Sequence, residues 1–369
     1  MIRFIHGADF HTGYRQYGLV ERASDFMDGW HRFCNTAIET YCNFVVLPGD
    51  LFHLHTSDPL TLSGVVLGLK RLKNHGIPVY AIKGNHEISR IATEYDWMDF
   101  LHSQQYLELI DTFEGRNGVF SRCRIYGVPW SGFATDSQVA QVAPLMEPDT
   151  FNILMLHAGM EDVLSRNHPG TLSYEVLRQM VYKVSYVAMG HVHKPHDNGF
   201  IMNPGSPETC SIDEAKWPER GWFIVDVQDD LSFTYQRIPY HDRRAFIVAE
   251  KADFETLEWI AADGKGAVIH IRYGTDKDRE TILKVCDPLY LRVEKEKPAK
   301  PDVPEQIGPA LSQDEMELTL LRELTRLNAE KIIELKYETE GGIIYGKAKE
   351  IRDAAGSGPA SNQNDPQGK

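Results

Sequence analysis

The chain has 369 residues, 42% of them apolar and 25% charged, which is the composition of an ordinary globular protein with room for two or three domains. Its formal net charge of −14 argues against a general basic surface for nucleic acid or an anionic membrane. Bound dications or a partner subunit would still add positive charge where a phosphate lies. Five scattered cysteines without a CxxC pair are typical of reduced thiols, and neither a secretory signal nor a membrane-spanning run is visible. We therefore expect a cytoplasmic protein that does not contact a membrane.

The first part of the chain alternates short apolar runs with longer segments whose apolar residues recur at helical spacing. We predict strands at 2–8, 44–47 and 78–82, separated by helices at 21–43 and 60–75. This order indicates parallel βαβ units. Later strands are predicted at 124–128, 152–156, 184–188, 199–202, 222–227 and 231–238, and a helix at 172–182. The short strands after residue 198 predict antiparallel sheet, so we expect a core of two sheets flanked by helices.

Composition and pattern divide the chain into five predicted segments. They are a main domain at 1–241, a small α+β unit at 242–294, a linker at 295–311, a helical region at 312–352 and a disordered tail at 353–369. The linker is rich in Lys, Glu and Pro, which favours an extended chain. Ser312 and Glu315 form a capping-box signal ahead of a broad apolar helical face. That face can dock on a partner or pack on the protein's own core, and both interpretations stay open.

Seven side chains that can bind a metal ion come after predicted strands, where the strand ends in small residues or a turn. They are Asp9, His11, Asp50, Asn85, His157, His191 and His193. The carboxyl ends of strands are the usual position of a site in open α/β sheets, so we expect these side chains to converge. Asp9 and His11 lie two positions apart, which directs both to the same side in extended backbone. Carboxylate, amide and imidazole donors in this number can hold two divalent ions, the arrangement that hydrolyses phosphate esters.

Each of these residues also has an ordinary explanation when it is taken alone. An isolated Gly49-Asp50 is more often a turn or a helix cap, and His157 at the end of an apolar run is more often a core histidine with satisfied hydrogen bonds. The combination, in this order and each time after a strand, favours a paired metal centre. Asp50 could then bridge the two ions with its two oxygens, and His86, beside Asn85, would face the substrate.

The motifs resemble those of a known superfamily. Asp9-x-His11, Gly49-Asp50, Gly84-Asn85-His86-Glu87, His157 and Gly190-His191-x-His193 are similar to the motifs of the calcineurin-like metallophosphoesterases. The closer resemblance is to the SbcD nucleases, the bacterial counterparts of the meiotic-recombination-eleven DNA-repair nucleases. It rests on Gly49-Asp50-Leu51-Phe52-His53, on Asn203-Pro204-Gly205-Ser206-Pro207-Glu208 and on Gly221-Trp222-Phe223-Ile224-Val225-Asp226. The resemblance implies an α/β fold: a four-layered αββα metallophosphoesterase sandwich with a small α+β cap domain and a C-terminal helical region.

The resemblance also implies roles for individual residues. One ion would be held by Asp9, His11, Asp50 and His193, and the other by Asp50, Asn85, His157 and His191. His86 would protonate or stabilise the leaving oxygen, and His53 would approach the phosphate or orient the nucleic-acid end. Manganese is the family's preferred ion, although this set of ligands also permits iron or zinc.

The function implied is a two-metal DNA nuclease of the double-strand-break repair type. It would be an exonuclease, with endonuclease activity as a further option, and would act with an SMC-like coiled-coil ATPase of the SbcC type. A homodimer is expected, with candidate contacts at 59–75 and near residue 100.

A phosphodiesterase or phosphatase for small molecules is the alternative function, and the acidic net charge favours it. A non-catalytic scaffold ranks third because every expected ligand type is present. Arg243, Arg244 and Arg272 of the small unit are available for phosphate contacts, or simply solvate its surface.

Overall fold

The computed structural model describes residues 1–88, 95–165 and 167–295. The predicted helical region at 312–352, the tail at 353–369 and all of the linker after Lys295 lie outside the described residues. Among the helices that are described, none combines the length and the apolarity that a bilayer crossing requires.

Seventeen strands and seven α-helices lie in the described residues. The strands are β1 (Ile2–His6), β2 (Phe44–Pro48), β3 (Val79–Ile82), β4 (Glu108–Leu109), β5 (Gly118–Phe120), β6 (Cys123–Val128), β7 (Phe151–His157), β8 (Gly159–Met160), β9 (Thr171–Leu172), β10 (Tyr186–Gly190), β11 (His196–Asp197), β12 (Ile201–Asn203), β13 (Gly221–Val227), β14 (Phe233–Pro239), β15 (Phe246–Ala249), β16 (Val268–Ile271) and β17 (Tyr290–Val293). The helices are α1 (Val20–Glu39), α2 (Pro59–Asn74), α3 (Trp97–Ser103), α4 (Thr135–Val142), α5 (Tyr174–Met180), α6 (Phe254–Asp263) and α7 (Asp276–Val285).

Two six-stranded sheets form the centre of the molecule. The first has the order β14-β13-β1-β2-β3-β4, and the second has the order β11-β12-β10-β7-β6-β5. In the first sheet β1 to β4 run parallel, whereas β13 and β14 pair in antiparallel fashion, as predicted for the region after residue 198. That prediction is correct for the pairing of β12 with β11 but wrong for its pairing with β10, to which β12 runs parallel. The reason is that β11 reverses the chain and pairs antiparallel with β12, which therefore returns in the direction of β10.

Alternating side chains along the strands separate two apolar cores. Phe4 lies between the two sheets with Phe151 and Tyr186, while its neighbour Ile5 lies on the opposite face of the first sheet. Helices α1, α2 and α3 cover that outer face, and α4 and α5 cover the outer face of the second sheet. The layers are therefore helix, sheet, sheet and helix. This arrangement confirms the predicted αββα sandwich.

Helices α1 and α2 cover the first sheet because their apolar residues recur every three or four positions. Trp30 and Phe33 of α1 are completely buried, and full burial of one such side chain stabilises the fold by roughly 1.5–3 kcal/mol. The start of α2 is set by Asp58, whose side chain accepts hydrogen bonds from the first turn, and by Pro59 at the first helical position.

A third, three-stranded parallel sheet, β15-β16-β17, carries α6 and α7 and encloses its own small core. It contacts the large sandwich through a partly buried ionic network. Arg244 donates two hydrogen bonds to the Asp25 carboxylate of α1, at 2.6 and 2.7 Å, and completely buried Arg22 donates to the same carboxylate at 2.5 Å. The rings of Tyr17 and Tyr290 stack at 4.0 Å across the same boundary.

The three arginines considered for phosphate contacts all bind protein groups. Arg244 is paired with Asp25, and Arg272 lies 3.1 Å from the Asp213 carboxylate. Arg243 donates to two main-chain carbonyls, and burial lowers its pKa to about 10. These side chains hold the small sheet on the sandwich, and the charges of Arg244 and Arg272 are paired with carboxylates.

Buried His6 predicts a measurable acid sensitivity of the fold. Its Nε2 donates to the Met189 carbonyl at 3.1 Å, so its Nδ1 accepts from the Tyr186 hydroxyl at 2.9 Å. Burial lowers the pKa of His6 to about 3, whereas an unfolded histidine has a pKa of about 6.5. Between these values the unfolded chain binds a proton that the folded chain does not. The contribution of neutral His6 to the stability of the fold is therefore fully present above about pH 6.5 and is lost as the pH drops toward 3.

We expect His6 to lower the free energy of unfolding by up to about 1.4 kcal/mol for each pH unit below 6.5. Urea unfolding between pH 6.5 and 5, in EDTA to remove metal effects, measures this slope. His6→Gln should flatten the slope by that amount, while His75→Gln, at an exposed position, should leave it unchanged. Equal slopes in the parent and His6→Gln would disprove the assignment.

Candidate metal centre

All seven predicted ligands lie where strands end. They occupy the loops after β1, β2, β3 and β10 and the last residue of β7. Strands β1, β2 and β3 are parallel to one another in the first sheet, and β7 and β10 are parallel in the second. The structure brings the seven side chains together at the common edge of the two sheets.

One group consists of Asp9, His11, Asp50 and His193. Oxygen and nitrogen atoms of Asp9, His11 and Asp50 lie within 4.8 Å of one another, and all three residues are buried. The Nε2 atoms of His11 and His193 face each other at 3.0 Å. Two nitrogens and two carboxylates from three separate loops therefore surround one position.

The second group consists of Asn85, His157 and His191, again with Asp50. Asn85 Oδ1 lies 3.0 Å from His157 Nε2 and 3.0 Å from His191 Nδ1. Asp50 Oδ2 lies 3.3 Å from His157 Nε2 and 3.8 Å from His11 Nε2 in the first group. Asp50 thus faces both groups, and the other six side chains divide between them.

The backbone of this region is strained at four of the seven residues. Asp9, His11, Asp50 and His191 have φ values of 56°, 46°, 54° and 88°, in the left-handed region that non-glycine residues rarely adopt. Each such residue costs on the order of 1–3 kcal/mol and persists only where surrounding contacts hold it. Strain concentrated on these positions is characteristic of a functional site.

Two glycines allow the ligand loops to approach closely. A Cβ on Gly49, whose φ is 92°, would lie 2.3 Å from His157 Nδ1. A Cβ on Gly84 would lie 2.1 Å from Asp50 Oδ1. Both positions therefore require glycine if Asp50, Asn85 and His157 are to meet.

Hydrogen bonds behind the ligands select the nitrogen that each histidine presents. His157 Nδ1 donates to the Pro48 carbonyl at 2.8 Å, which leaves the lone pair of Nε2 directed at Asn85 and Asp50. His193 Nδ1 lies 2.8 Å from the Glu214 carboxylate, which leaves Nε2 directed at His11. Carboxylates and carbonyls in such positions orient metal-binding histidines. Glu214 was not predicted as a site residue, since only the tertiary fold brings it to His193.

Glu87 is a second residue whose role was not predicted from the sequence, although the motif around Asn85 contains it. Its carboxylate is 1% exposed and accepts four backbone N–H bonds, from Asp50, Leu51, Phe52 and Gly84, at 2.7–3.1 Å. Burial and the charge of Asp50 raise the pKa of Glu87 to about 7, against the effect of the Gly84 and Phe52 N–H donors. Glu87 therefore ties the loop that carries Asp50 to the loop that carries Asn85.

We expect Glu87→Gln to lower the free energy of unfolding by about 2–4 kcal/mol, because its amide nitrogen would oppose two buried N–H donors. Manganese affinity should fall about 10–100-fold, the usual effect of losing a group that orients ligands. Urea unfolding and isothermal titration measure the two effects. Glu39→Gln changes an exposed carboxylate of the same type and serves as the control. A variant with parental stability and affinity would refute this role.

The two predicted substrate-facing histidines lie over the first group. The His86 ring centre is 4.7 Å from that of His11 and 4.9 Å from that of His53. His86 Nδ1 donates to the His53 carbonyl at 2.8 Å, so the free nitrogen of His86 is Nε2. The His53 ring stacks on Tyr14 at 3.9 Å, and burial together with His86 lowers the pKa of His53 to about 4.

The donor set fits divalent cations. Burial disfavours charge on both Asp50 and His157, but their mutual attraction holds the pKa of Asp50 well below its usual range and raises that of His157 to about 9. Burial raises the pKa of Asp9, and the hydrogen-bond donor to its carboxylate is the backbone N–H of His191, at 2.9 and 3.1 Å. Buried carboxylates need nearby positive charge to remain ionised. Bound dications would supply that charge in place of the protons on neighbouring histidines.

Comparison with known proteins agrees with this geometry. Residues 2–195 match the family model described as calcineurin-like phosphoesterase, which is more than half of the chain. The chain therefore belongs to that family.

Curated relatives point to one group of proteins within this family. The DNA double-strand break repair protein Mre11 of Archaeoglobus fulgidus is 30% identical over 250 residues, covering 62% of this chain and 54% of that protein. The protein of the same name from Haloferax volcanii is 40% identical over 265 residues, covering 70% and 57%. These matches confirm the predicted resemblance to nucleases of the meiotic-recombination-eleven type. The chain spans little more than half the length of these two relatives.

A crystal structure of a dimetal phosphatase from Danio rerio is also similar, with a TM-score of 0.41 and 11% identity, covering 65% of this chain and 99% of that one.

Proposed function

We propose that this protein is a metal-dependent DNA nuclease that hydrolyses phosphodiesters at DNA ends during double-strand-break repair. The observation that carries the proposal is the position of Asp50, whose carboxylate faces ligands of two adjacent groups. The similarity to proteins named for DNA double-strand break repair supports DNA as the substrate.

In this proposal the two groups hold two divalent ions, with manganese as the expected metal. Asp9, His11, Asp50 and His193 hold one ion, and Asp50, Asn85, His157 and His191 hold the other. When bound, such a pair of ions supplies an activated water and neutralises charge that develops on the phosphoryl oxygens.

His86 is the proposed proton donor to the departing sugar oxygen. Its Nδ1 is held by the His53 carbonyl, so the proton to be transferred resides on Nε2 of the imidazolium form. His53, stacked on Tyr14 and with a lowered pKa, is neutral at pH 7 and orients the phosphate or the DNA end.

We also propose the partners implied by the family resemblance. The helical region at 312–352 would bind a coiled-coil ATPase of the SbcC type, and two copies of the nuclease would pair. Co-purification with such an ATPase, lost on truncation after residue 300, tests the first contact. Retention of the ATPase by the truncated protein would exclude this docking site.

The alternative is a phosphodiesterase for small molecules. The observation that favours it is that protein groups already engage Arg243, Arg244 and Arg272, which leaves the described part of the small sheet with fewer free guanidinium groups for DNA. The two functions are separated by comparing manganese-dependent nucleotide release from linear double-stranded DNA with hydrolysis of bis(p-nitrophenyl) phosphate. The nuclease proposal requires release from DNA that EDTA abolishes. Rapid turnover of the small ester with intact DNA would favour the alternative.

A further inference from the structure

Cys210 lies beside the first ligand group, although it is not one of the seven predicted ligands. One ligand atom each from His11, His193 and Cys210 lies within 4.8 Å of the other two. Cys210 follows the Asn203–Glu208 motif, to which the proposed reaction assigns no role. A thiol in this position adds a different kind of donor to the oxygen and nitrogen ligands.

The position of the thiol is set by contacts that also hold the ligands. Glu214 Oε2 accepts the Cys210 backbone N–H at 2.8 Å, while Oε1 of the same carboxylate accepts from His193 Nδ1. Ser206 Oγ lies 3.2 Å from Cys210 Sγ and donates to the Asp9 carbonyl at 2.8 Å. Movement of Cys210 away from the group would therefore disturb the groups that position Asp9 and His193.

The two histidines of this cluster direct their Nε2 atoms at one common position, where a cation could bind both. His193 Nδ1 is held by Glu214, so its Nε2 is free to present a lone pair toward His11 Nε2, 3.0 Å away. His11 is only 1% exposed, and its Nδ1 has no hydrogen-bond partner within the described part of the chain. A separation of 3.0 Å is that of an N–H···N hydrogen bond, so an ion bound between the two imidazoles would take the place of the proton that they share.

We propose that Cys210 supplies a sulfur ligand at the position defined by His11 and His193, creating a nitrogen and sulfur site for borderline ions such as Zn²⁺ and Co²⁺. This inference rests on the metal centre of the proposed function. Ligands of one tetrahedral zinc ion lie about 3.3–3.8 Å apart, so a small rotation of Cys210 is sufficient. On binding, the S–H proton leaves to solvent and the sulfur forms a bond to the ion.

The consequence is discrimination between metals at a single position. Manganese prefers oxygen ligands, whereas zinc and cobalt accept thiolate readily. Cys210 should therefore strengthen zinc binding without strengthening manganese binding. Zinc would accordingly compete with manganese at the first group more effectively than the seven predicted ligands alone would allow.

Cobalt titration of the full chain, reduced and free of oxygen, tests the proposal through a spectrum that does not depend on activity. We expect ligand-field bands in the visible region and a thiolate-to-cobalt charge-transfer band in the near ultraviolet. Cys210→Ser and Cys210→Ala should lose the charge-transfer band and keep the visible bands. Cys286→Ser removes a half-buried thiol on the small sheet unit and should keep both.

Direct titrations give a second readout. Cys210→Ser should weaken Zn²⁺ binding by at least about 10–100-fold, which is the usual loss when a group that only orients metal ligands is removed. Mn²⁺ binding should stay nearly unchanged. Visible bands without a charge-transfer band in the parent would overturn the proposal and leave the metal centre intact. Absence of any cobalt absorption would overturn the metal centre and the proposal together.

Discussion

Asp50→Asn is expected to lower manganese affinity by about 100-fold or more and to abolish detectable cleavage of linear DNA. The carboxylate is 2% exposed, and its Oδ2 faces nitrogens of both ligand groups, from His11 and His157. Asparagine offers a single oxygen, and its amide hydrogens would point at an imidazole or an ion. The substitution also removes a negative charge that would be shared between two dications. Isothermal titration with Mn²⁺ and nucleotide release from linear DNA measure the two effects.

The matched control for this variant is Asp229→Asn, which alters a carboxylate whose side chain is 92% exposed. Its metal affinity and cleavage rate should equal those of the parent. Thermal unfolding of Asp50→Asn in EDTA separates loss of the site from loss of the fold. Two manganese ions bound to folded Asp50→Asn at parental affinity would contradict a shared bridging carboxylate.

His86→Gln is expected to keep both metals and to lose about 10²–10⁴-fold in turnover, the usual contribution of a general acid. The side chain of His86 is not among the seven ligands, so metal affinity should remain at the parental value. Its Nε2 is the nitrogen left free by the bond from Nδ1 to the His53 carbonyl. Glutamine can form that bond but cannot donate a proton to a departing alkoxide. Single-turnover cleavage of DNA at saturating manganese measures the loss.

A leaving-group comparison distinguishes proton donation from a positioning role. p-Nitrophenolate departs without protonation, so His86→Gln should lose much less activity on bis(p-nitrophenyl) phosphate than on DNA. His75→Gln, at an exposed position at the end of α2, should behave as the parent on both substrates. An equal loss on the two substrates would remove His86 from the role of acid and assign it to substrate positioning.

The central layers of the fold could be predicted because their sequence signals are local. The strands predicted at 44–47 and 152–156 contain the apolar runs 44–47 and 153–156, and the structure places strands at Phe44–Pro48 and Phe151–His157. Short elements such as β4, β8 and β9 were not predicted. A two-residue strand carries no period of its own, and it forms because a neighbouring strand offers hydrogen bonds.

Some residues of the candidate site could likewise be predicted from the sequence, and others could not. The ligands could be selected from the sequence because each follows a strand, and because glycine stands before Asp50, Asn85 and His191. Glu214 and Cys210 lack such a signal, since they lie on a short 3₁₀ helix and the loop before it. Glu87 stands within a motif, yet its four bonds to the backbone appear only when two loops are packed together.

By itself, the sequence determined the alternation of strands and helices, the candidate metal-binding side chains and their order along the chain. The family resemblance implied the division into two groups, and the sequence allowed Asp50 to bridge them. Only the tertiary structure shows the contacts that bring each group together and decides which nitrogen each histidine presents. The physical reason is distance along the chain. His11 meets His193 across 182 residues, and Asn85 meets His157 across 72, so the packing of two sheets sets these contacts and no local period encodes them.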